Sequence, residues 1–184
     1  MIPLQRIEGI VLSAKPFFEH DKLLVLFTKD LGKCRVLAKS VLNKKNAPLG
    51  AMDATAHIDC LFFAGRQFYY SRDIRLLSVF GNLRKRLSNL TAAAYVLHVV
   101  DQLTDDGQPH PVLFDLLHQA LDTLNREEES LPAVFRFHAE LLHAEGLLAT
   151  DDGTLNFIQF RRHFEHYTGK SLKIPPLLNV AGTV

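Results

Sequence analysis

The residues in this chain best placed to do chemistry are cations on a strand. Between positions 33 and 39, Cys34, Val36 and Ala38 alternate with Lys33, Arg35, Leu37 and Lys39. The two-residue period of a β-strand puts Lys33, Arg35 and Lys39 on one face and turns the alternate residues inward. The ridge runs on into KSVLNKKNAP at 39–48, where Lys44 and Lys45 lie among Asn and Pro turn residues. A row of cations leading into a loop suits a phosphate backbone, because each neutralised phosphate releases condensed counterions. Lys22 and Lys29, at the ends of the preceding apolar run, widen the expected patch. A solvated edge that resists strand addition is the competing explanation. Three adjacent aromatic pairs accompany the cations: Phe17-Phe18, Phe62-Phe63 and Tyr69-Tyr70. On a strand one ring of each pair packs inward and the other faces out, so Phe62 or Phe63 and Tyr69 or Tyr70 could offer a face to a nucleic-acid base; packing of the barrel core is the favoured alternative use of these rings.

Catalytic constellations are harder to find. His163 and His166 lie three apart around Glu165, and His138 and His143 are five apart, but no second cluster completes a metal site. These histidines are expected to be solvated or to sit at the edge of a core. Asp105-Asp106 and Asp151-Asp152 fall in turn-like sequence, and Glu127-Glu128-Glu129 reads as a solvated loop. The chain contains no G-x-x-x-x-G-K-[ST] phosphate loop, no G-x-S-x-G elbow and no G-x-G-x-x-G. The expectation is a binding protein and not an enzyme, with no catalytic residue, cofactor or metal. A hydrolase is the outlying alternative, to be tested at His163.

Two kinds of periodicity position these residues. Runs at 6–14, 23–27, 33–39, 54–63 and 68–77 read as five short strands with no long helix between them, which predicts a small closed barrel of the OB type. From residue 79 the period becomes helical. Leu83, Leu87, Leu90, Ala94 and Leu97 form one expected stripe. After TDDGQP at 104–109, Pro111 opens a second helix with the stripe Val112, Leu113, Leu116, Leu117, Ala120, Leu121 and Leu124. Ser130 is the expected N-cap of a third helix carrying Val134, Phe137, Leu141 and Leu142, stopped at Gly146. A turn at Asp151-Asp152-Gly153 precedes a last helix with Phe157, Phe160, Phe164 and Tyr167, closed by Gly169. The fold class is therefore α+β: a five-stranded OB-type barrel over 1–78, then an all-α helical domain over 79–184.

The net charge of +1 conceals a division at this boundary. Residues 1–90 hold fifteen Lys/Arg against seven Asp/Glu, net +8, and residues 91–184 hold six against thirteen, net −7. One half is suited to a polyanion. Cys34 and Cys60 are too few for a disulfide framework or a four-thiolate site and read as buried thiols of a cytoplasmic protein. No apolar run is long enough to cross a membrane, and the start at Met1 has no charged leader followed by an apolar stretch.

Several segments, in order and spacing, resemble the RecO family of bacterial recombination mediators. They are GIVL at 9–12, EHDKLLVLFT at 19–28, LGK at 31–33, VLAKS at 36–40, LLSVFGNL at 76–83 and YTGKSLK at 167–173. The resemblance implies an OB barrel followed by a helical domain. It implies binding of single- and double-stranded DNA, strand annealing, and action on DNA coated by single-strand-binding protein. The implied partners are the acidic C-terminal tail of that protein, RecR, and through them RecA, with a cytoplasmic, nucleoid-associated location and no membrane. DNA would be met by Lys22, Lys33, Arg35, Lys39, Lys44 and Lys45. Arg84, Lys85, Arg86, Arg126, Arg136, Arg161 and Arg162 are the candidates for an acidic tail. Many members carry a four-cysteine zinc module in the helical domain. Here residues 144–156 form a short connection without cysteine, so no zinc is expected. An RNA-binding OB protein and a protein-interaction adaptor are the alternatives.

Overall fold

The computed structural model describes residues 3–42, 49–127, 129–147 and 155–181. Five strands, β1 (Leu4–Phe17), β2 (Asp21–Thr28), β3 (Gly32–Ala38), β4 (His57–Ala64) and β5 (Tyr69–Ser78), close into a barrel in the order β1-β2-β3-β5-β4. β1 is long enough to pair with both β2 and β4, and a register shift between Val11 and Ser13 bends it from one partner to the other. Closure rests on a short parallel pairing, Val36 with Tyr69 and Leu37 with Tyr70.

Alternation explains why these segments form strands. Ile7, Val11, Leu24, Leu26, Cys34, Val36, Ile58, Cys60, Phe62 and Ile74 all face one buried cluster. A short 3-10 helix, Leu49–Met52, contributes Ala51 and the fully buried Met52 to it. The two thiols are buried there as expected, and burial pushes each up to about 12, so neither ionises at neutral pH.

Four helices follow among the described residues: α1 (Leu87–Leu103), α2 (Pro111–Arg126), α3 (Ser130–Ala144) and α4 (Phe157–Thr168). The chain divides into two compact units, Met1–Phe80 with Thr104–Phe114, and Gly81–Leu103 with Asp115–Val184. The connector after α1 and the first turn of α2 thus group with the barrel. Phe114 packs its ring 6.1 Å from Phe27 on the barrel's outer surface. Gly32 sits at a φ of 64°, and a Cβ there would fall 1.9 Å from the Gln108 carbonyl oxygen, so this close approach requires glycine.

The helical faces depart from the expected stripes. In α1, Leu87 is 71% exposed and Leu90 and Ala94 are also exposed. The buried side is Ala92, Ala93, Tyr95, Val96, Leu97, Val99 and Val100. This helix is apolar nearly all round, so spacing alone does not select its inner face. In α2, Val112 is exposed and Phe114 is buried in its place. Ser130 is the first residue of α3 and buried; the N-cap is Glu129, with no side-chain cap bond. Tyr167 is exposed and donates its hydroxyl to Glu145 at 3.0 Å. The end of α4 matches expectation, with Gly169 left-handed at φ 67°. At the other end Asn156 and Gln159 form a capping box.

Within the helical unit, α1, α3 and α4 meet on an aromatic cluster around His138. Its imidazole is fully buried, stacks on Phe160 at 3.6 Å and 5°, and meets the Tyr95 hydroxyl at 3.0 Å through Nε2. Its Nδ1 has no hydrogen-bond partner among the described residues. Burial lowers the imidazole to about 3, so it is neutral at physiological pH. His143, His163 and His166 are exposed. Among the described residues no group of three or more His, Cys, Asp or Glu is gathered to hold a metal ion, and no helix is long and apolar enough to cross a membrane.

Candidate nucleic-acid interface

One end of the barrel collects three turns. The chain leaving β3 returns to the β1–β2 turn: the Ser40 backbone N–H donates to Asp21 Oδ1 at 2.7 Å, and the Leu42 N–H to the His20 carbonyl at 3.1 Å. The β4–β5 turn joins them, with Phe68 packed edge-on to Phe17 at 5.6 Å. Phe18, at the tip of the β1–β2 turn, touches Phe17 edge-to-face at 4.6 Å. It is 82% exposed and holds a φ of 55°. A large side chain in the left-handed region costs about 1–3 kcal/mol, and burial of its ring does not offset that cost here.

The strand pairs resolve as alternation requires. Phe62 is in the core and Phe63 outside; Tyr69 packs against the core through Phe62, and Tyr70 faces out. Phe63 and Tyr70 are opposite each other across β4 and β5 and stack at 5.4 Å and 21°. The Lys39 ammonium lies 4.8 Å over the Tyr70 ring, and the Arg72 guanidinium 5.1 Å over Phe63. The two rings thus hold a cation at either side. Among the described residues neither cation has a carboxylate partner.

Elsewhere on the barrel several cations are matched. Arg6 bonds Asp59 and lies 3.6 Å from Asp73, which also accepts from Arg75 at 2.9 Å. The expected ridge is divided in the same way. Lys22 has the inward parity, is nearly buried and pairs with Asp53 at 3.1 Å. Arg35 Nε is 3.2 Å from Asp106 Oδ2. Lys33 pairs with the same connector as an isolated bridge to Asp106, its carbonyl accepting from the Gly107 N–H at 2.8 Å. Lys33, Arg35 and Lys39 do face outward from Cys34, Val36 and Ala38, and Lys39 has no carboxylate partner among the described residues. Lys44 and Lys45 lie outside the described residues. Arg72 escaped the sequence reading because its position depends on a register shift between Leu61 and Phe62. Arg66, in the β4–β5 turn, is exposed and was also missed.

Of the candidates in the helical unit, Lys85, Arg86 and Arg126 line one polar pocket of about 270 Å³ with Asn82, Asn89 and Asn125. Buried Asn89 braces it, donating to the Leu124 and Glu127 carbonyls at 2.8 and 2.9 Å at the end of α2. Arg126 also pairs with Asp122 at 2.7 Å, and Arg136 lies 3.8 Å from Glu127. Arg84, Arg161 and Arg162 are exposed and do not line the pocket. The exposed side of α1 forms an apolar groove of about 350 Å³, lined by Leu87, Leu90, Ala94 and His98 and edged by Lys173 and Pro175.

Barrel and helices together define a class of two-part protein, an OB-type barrel followed by a helical unit, with an exposed ring, an outward-facing stacked pair and cations that lack a carboxylate partner among the described residues at one barrel end. The family model described as Recombination protein O N terminal matches residues 1–80, and the one described as Recombination protein O C terminal matches residues 84–148. The chain belongs to the RecO family. It is 34% identical over 145 residues to DNA repair protein RecO of Alkaliphilus metalliredigens, covering 78% of this chain and 59% of that protein. It is 29% identical over 140 residues to that of Moorella thermoacetica, covering 76% and 52%. For the Geobacter metallireducens protein the match is 27% over 170 residues, covering 92% and 64%. The chain thus spans a little over half to just under two thirds of the length of these relatives.

Proposed function

We propose that this chain is a cytoplasmic, non-catalytic recombination mediator of DNA repair that binds DNA at the rim of its barrel. Phe18 carries the reading: a ring left in solvent, in a backbone conformation that disfavours it, at the barrel end where Lys39 and Arg72 have no carboxylate partner among the described residues. Single-strand binding combines these two elements, rings on which bases stack and cations that track phosphates. The stacked Phe63–Tyr70 pair adds preorganisation, since Lys39 and Arg72 are already held above the sheet when a strand arrives. The same surface serves double-stranded DNA through phosphate contacts alone, and two bound strands are thereby brought together for annealing.

A second set of partners is proposed for the helical unit: the acidic C-terminal tail of single-strand-binding protein, then RecR, and through them RecA. The pocket of Lys85, Arg86 and Arg126 supplies cations, and the neighbouring apolar groove beginning at Leu87 supplies a surface for the tail's hydrophobic residues.

Titrating salt against binding of a fluorescent single-stranded oligonucleotide tests the barrel reading. Affinity should fall steeply as salt rises. Lys39→Ala should flatten the log–log slope by about 0.7, the value for one phosphate contact on a single strand, and adding Lys44→Ala and Lys45→Ala by about 2 in all. A triple variant with unchanged affinity and slope would remove these lysines from the interface.

A further inference from the structure

A cleft of about 340 Å³ opens between the first half of β3 and the β4–β5 turn, lined by Lys33, Arg35, Arg66, Phe68, Tyr69 and Asp106. Three cations line it with one carboxylate, and Arg35 pairs with it. That carboxylate comes from the connector between α1 and α2, which the barrel holds by backbone contacts: the Gly107 N–H on the Lys33 carbonyl, and Gly32 closed against Gln108. The position of Asp106 is therefore set by the backbone and not by its ion pair. Its Oδ2 lies 3.2 Å from Arg35 Nε, with both side chains about half exposed at 56% and 48%, and thus open to exchange with solvent anions.

We propose that this cleft is a phosphate site for the bound strand, and that Asp106 occupies it as an internal competitor while no strand is present. This inference rests on the nucleic-acid reading above. A phosphodiester, like a carboxylate, presents two equivalent oxygens sharing one negative charge, and a guanidinium accepts either in the same planar geometry. Arg66, with no carboxylate partner among the described residues, meets the incoming phosphate from the opposite wall. The cleft continues the rim, because Arg35 precedes Leu37, which pairs with Tyr70, and Tyr69 lines the cleft beside it. A strand lying over Lys39 and Tyr70 reaches Arg35 by following β3.

The competition has a signature in salt. A phosphate that enters an empty cationic site releases its condensed counterions to solution. Here the entering phosphate displaces Asp106, whose charge stays beside the strand on the docked connector and offsets part of the neutralisation, so this contact contributes less to the salt dependence. Asp106→Asn keeps the shape and removes the charge. It should tighten binding of a fluorescent oligo-dT strand at low salt by about three- to tenfold, given the small energies of half-exposed pairs. It should also steepen the log–log slope by up to about 0.7. Asp106→Ala should act in the same direction, and adding Arg35→Ala should abolish the gain. Thermal melts of each variant report whether the connector still docks. Wild-type binding that Asp106→Asn leaves unchanged or weakens would overturn this inference alone. Failure of both wild type and Asp106→Asn to bind any strand would overturn it together with the nucleic-acid reading.

Discussion

Replacing Phe18 with glycine should weaken single-strand binding by about 1–3 kcal/mol, roughly five- to a hundred-and-fiftyfold in Kd, with no loss of thermal stability. Two facts make the readouts diverge. The ring is 82% exposed, with Phe17 its one ring contact among the described residues, so the fold loses little apolar burial with it. The backbone there stands at φ 55°, which glycine adopts without the steric cost that phenylalanine bears. A residue whose role was structural would lower both quantities. Phe62→Ala provides that contrast. Its ring is fully buried among the core residues of the barrel, and its loss should cost about 3–5 kcal/mol of stability. Fluorescence anisotropy with an oligonucleotide, paired with thermal melting by circular dichroism, separates the two cases.

Acid should destabilise the helical unit through His138. The imidazole is neutral in the fold down to about pH 3, whereas in the unfolded chain it titrates near 6.5. A depressed folded value gives a definite sign: below 6.5 the unfolded state takes up a proton that the folded state refuses, and stability drains away until the pH reaches the folded value. The loss is roughly 1.4 kcal/mol for each pH unit in that interval, so about 2 kcal/mol is gone by pH 5. The cause is geometric. Phe160 lies flat on the ring, Phe157 stands edge-on at 5.2 Å, and Tyr95 Oη is the polar contact. Among the described residues no carboxylate acts on the ring to stabilise a charge. Denaturant melts between pH 7.5 and 5 should show this slope in the wild type and lack it in His138→Gln, which keeps a polar partner for Tyr95 without titrating. Equal slopes in both proteins would assign the acid sensitivity to other groups.

The barrel was legible in the sequence because its inward positions follow the strand period without exception from Cys34 to Ala38 and from Ile58 to Phe62. That one ring of each strand pair turns outward was legible for the same reason, but which ring does so was settled only by the register of β4 and β5. The choice between the two apolar sides of α1 was not, since Leu87, Leu90 and Ala94 keep the same spacing as a buried stripe and the decision belongs to the helices packed opposite. The fate of the cations was hidden too. Lys22 is neutralised by Asp53, 31 residues away, and Arg35 by an aspartate from a connector that the helical pattern assigned elsewhere. Only the closed barrel shows which charges remain. The strain at Phe18 leaves no trace in composition or period.

The central claim is that nucleic acid lies across the rim formed by Phe18, Lys39, Tyr70 and Arg72. Photocrosslinking of a single-stranded oligonucleotide carrying iodouracil, followed by mapping of the modified peptides, tests it most directly. The structure predicts adducts on the rings of this rim, with Phe18 foremost and Tyr70 beside it, that fade as salt rises. Adducts confined to peptides of the helical unit, with the barrel peptides unmodified, would contradict it.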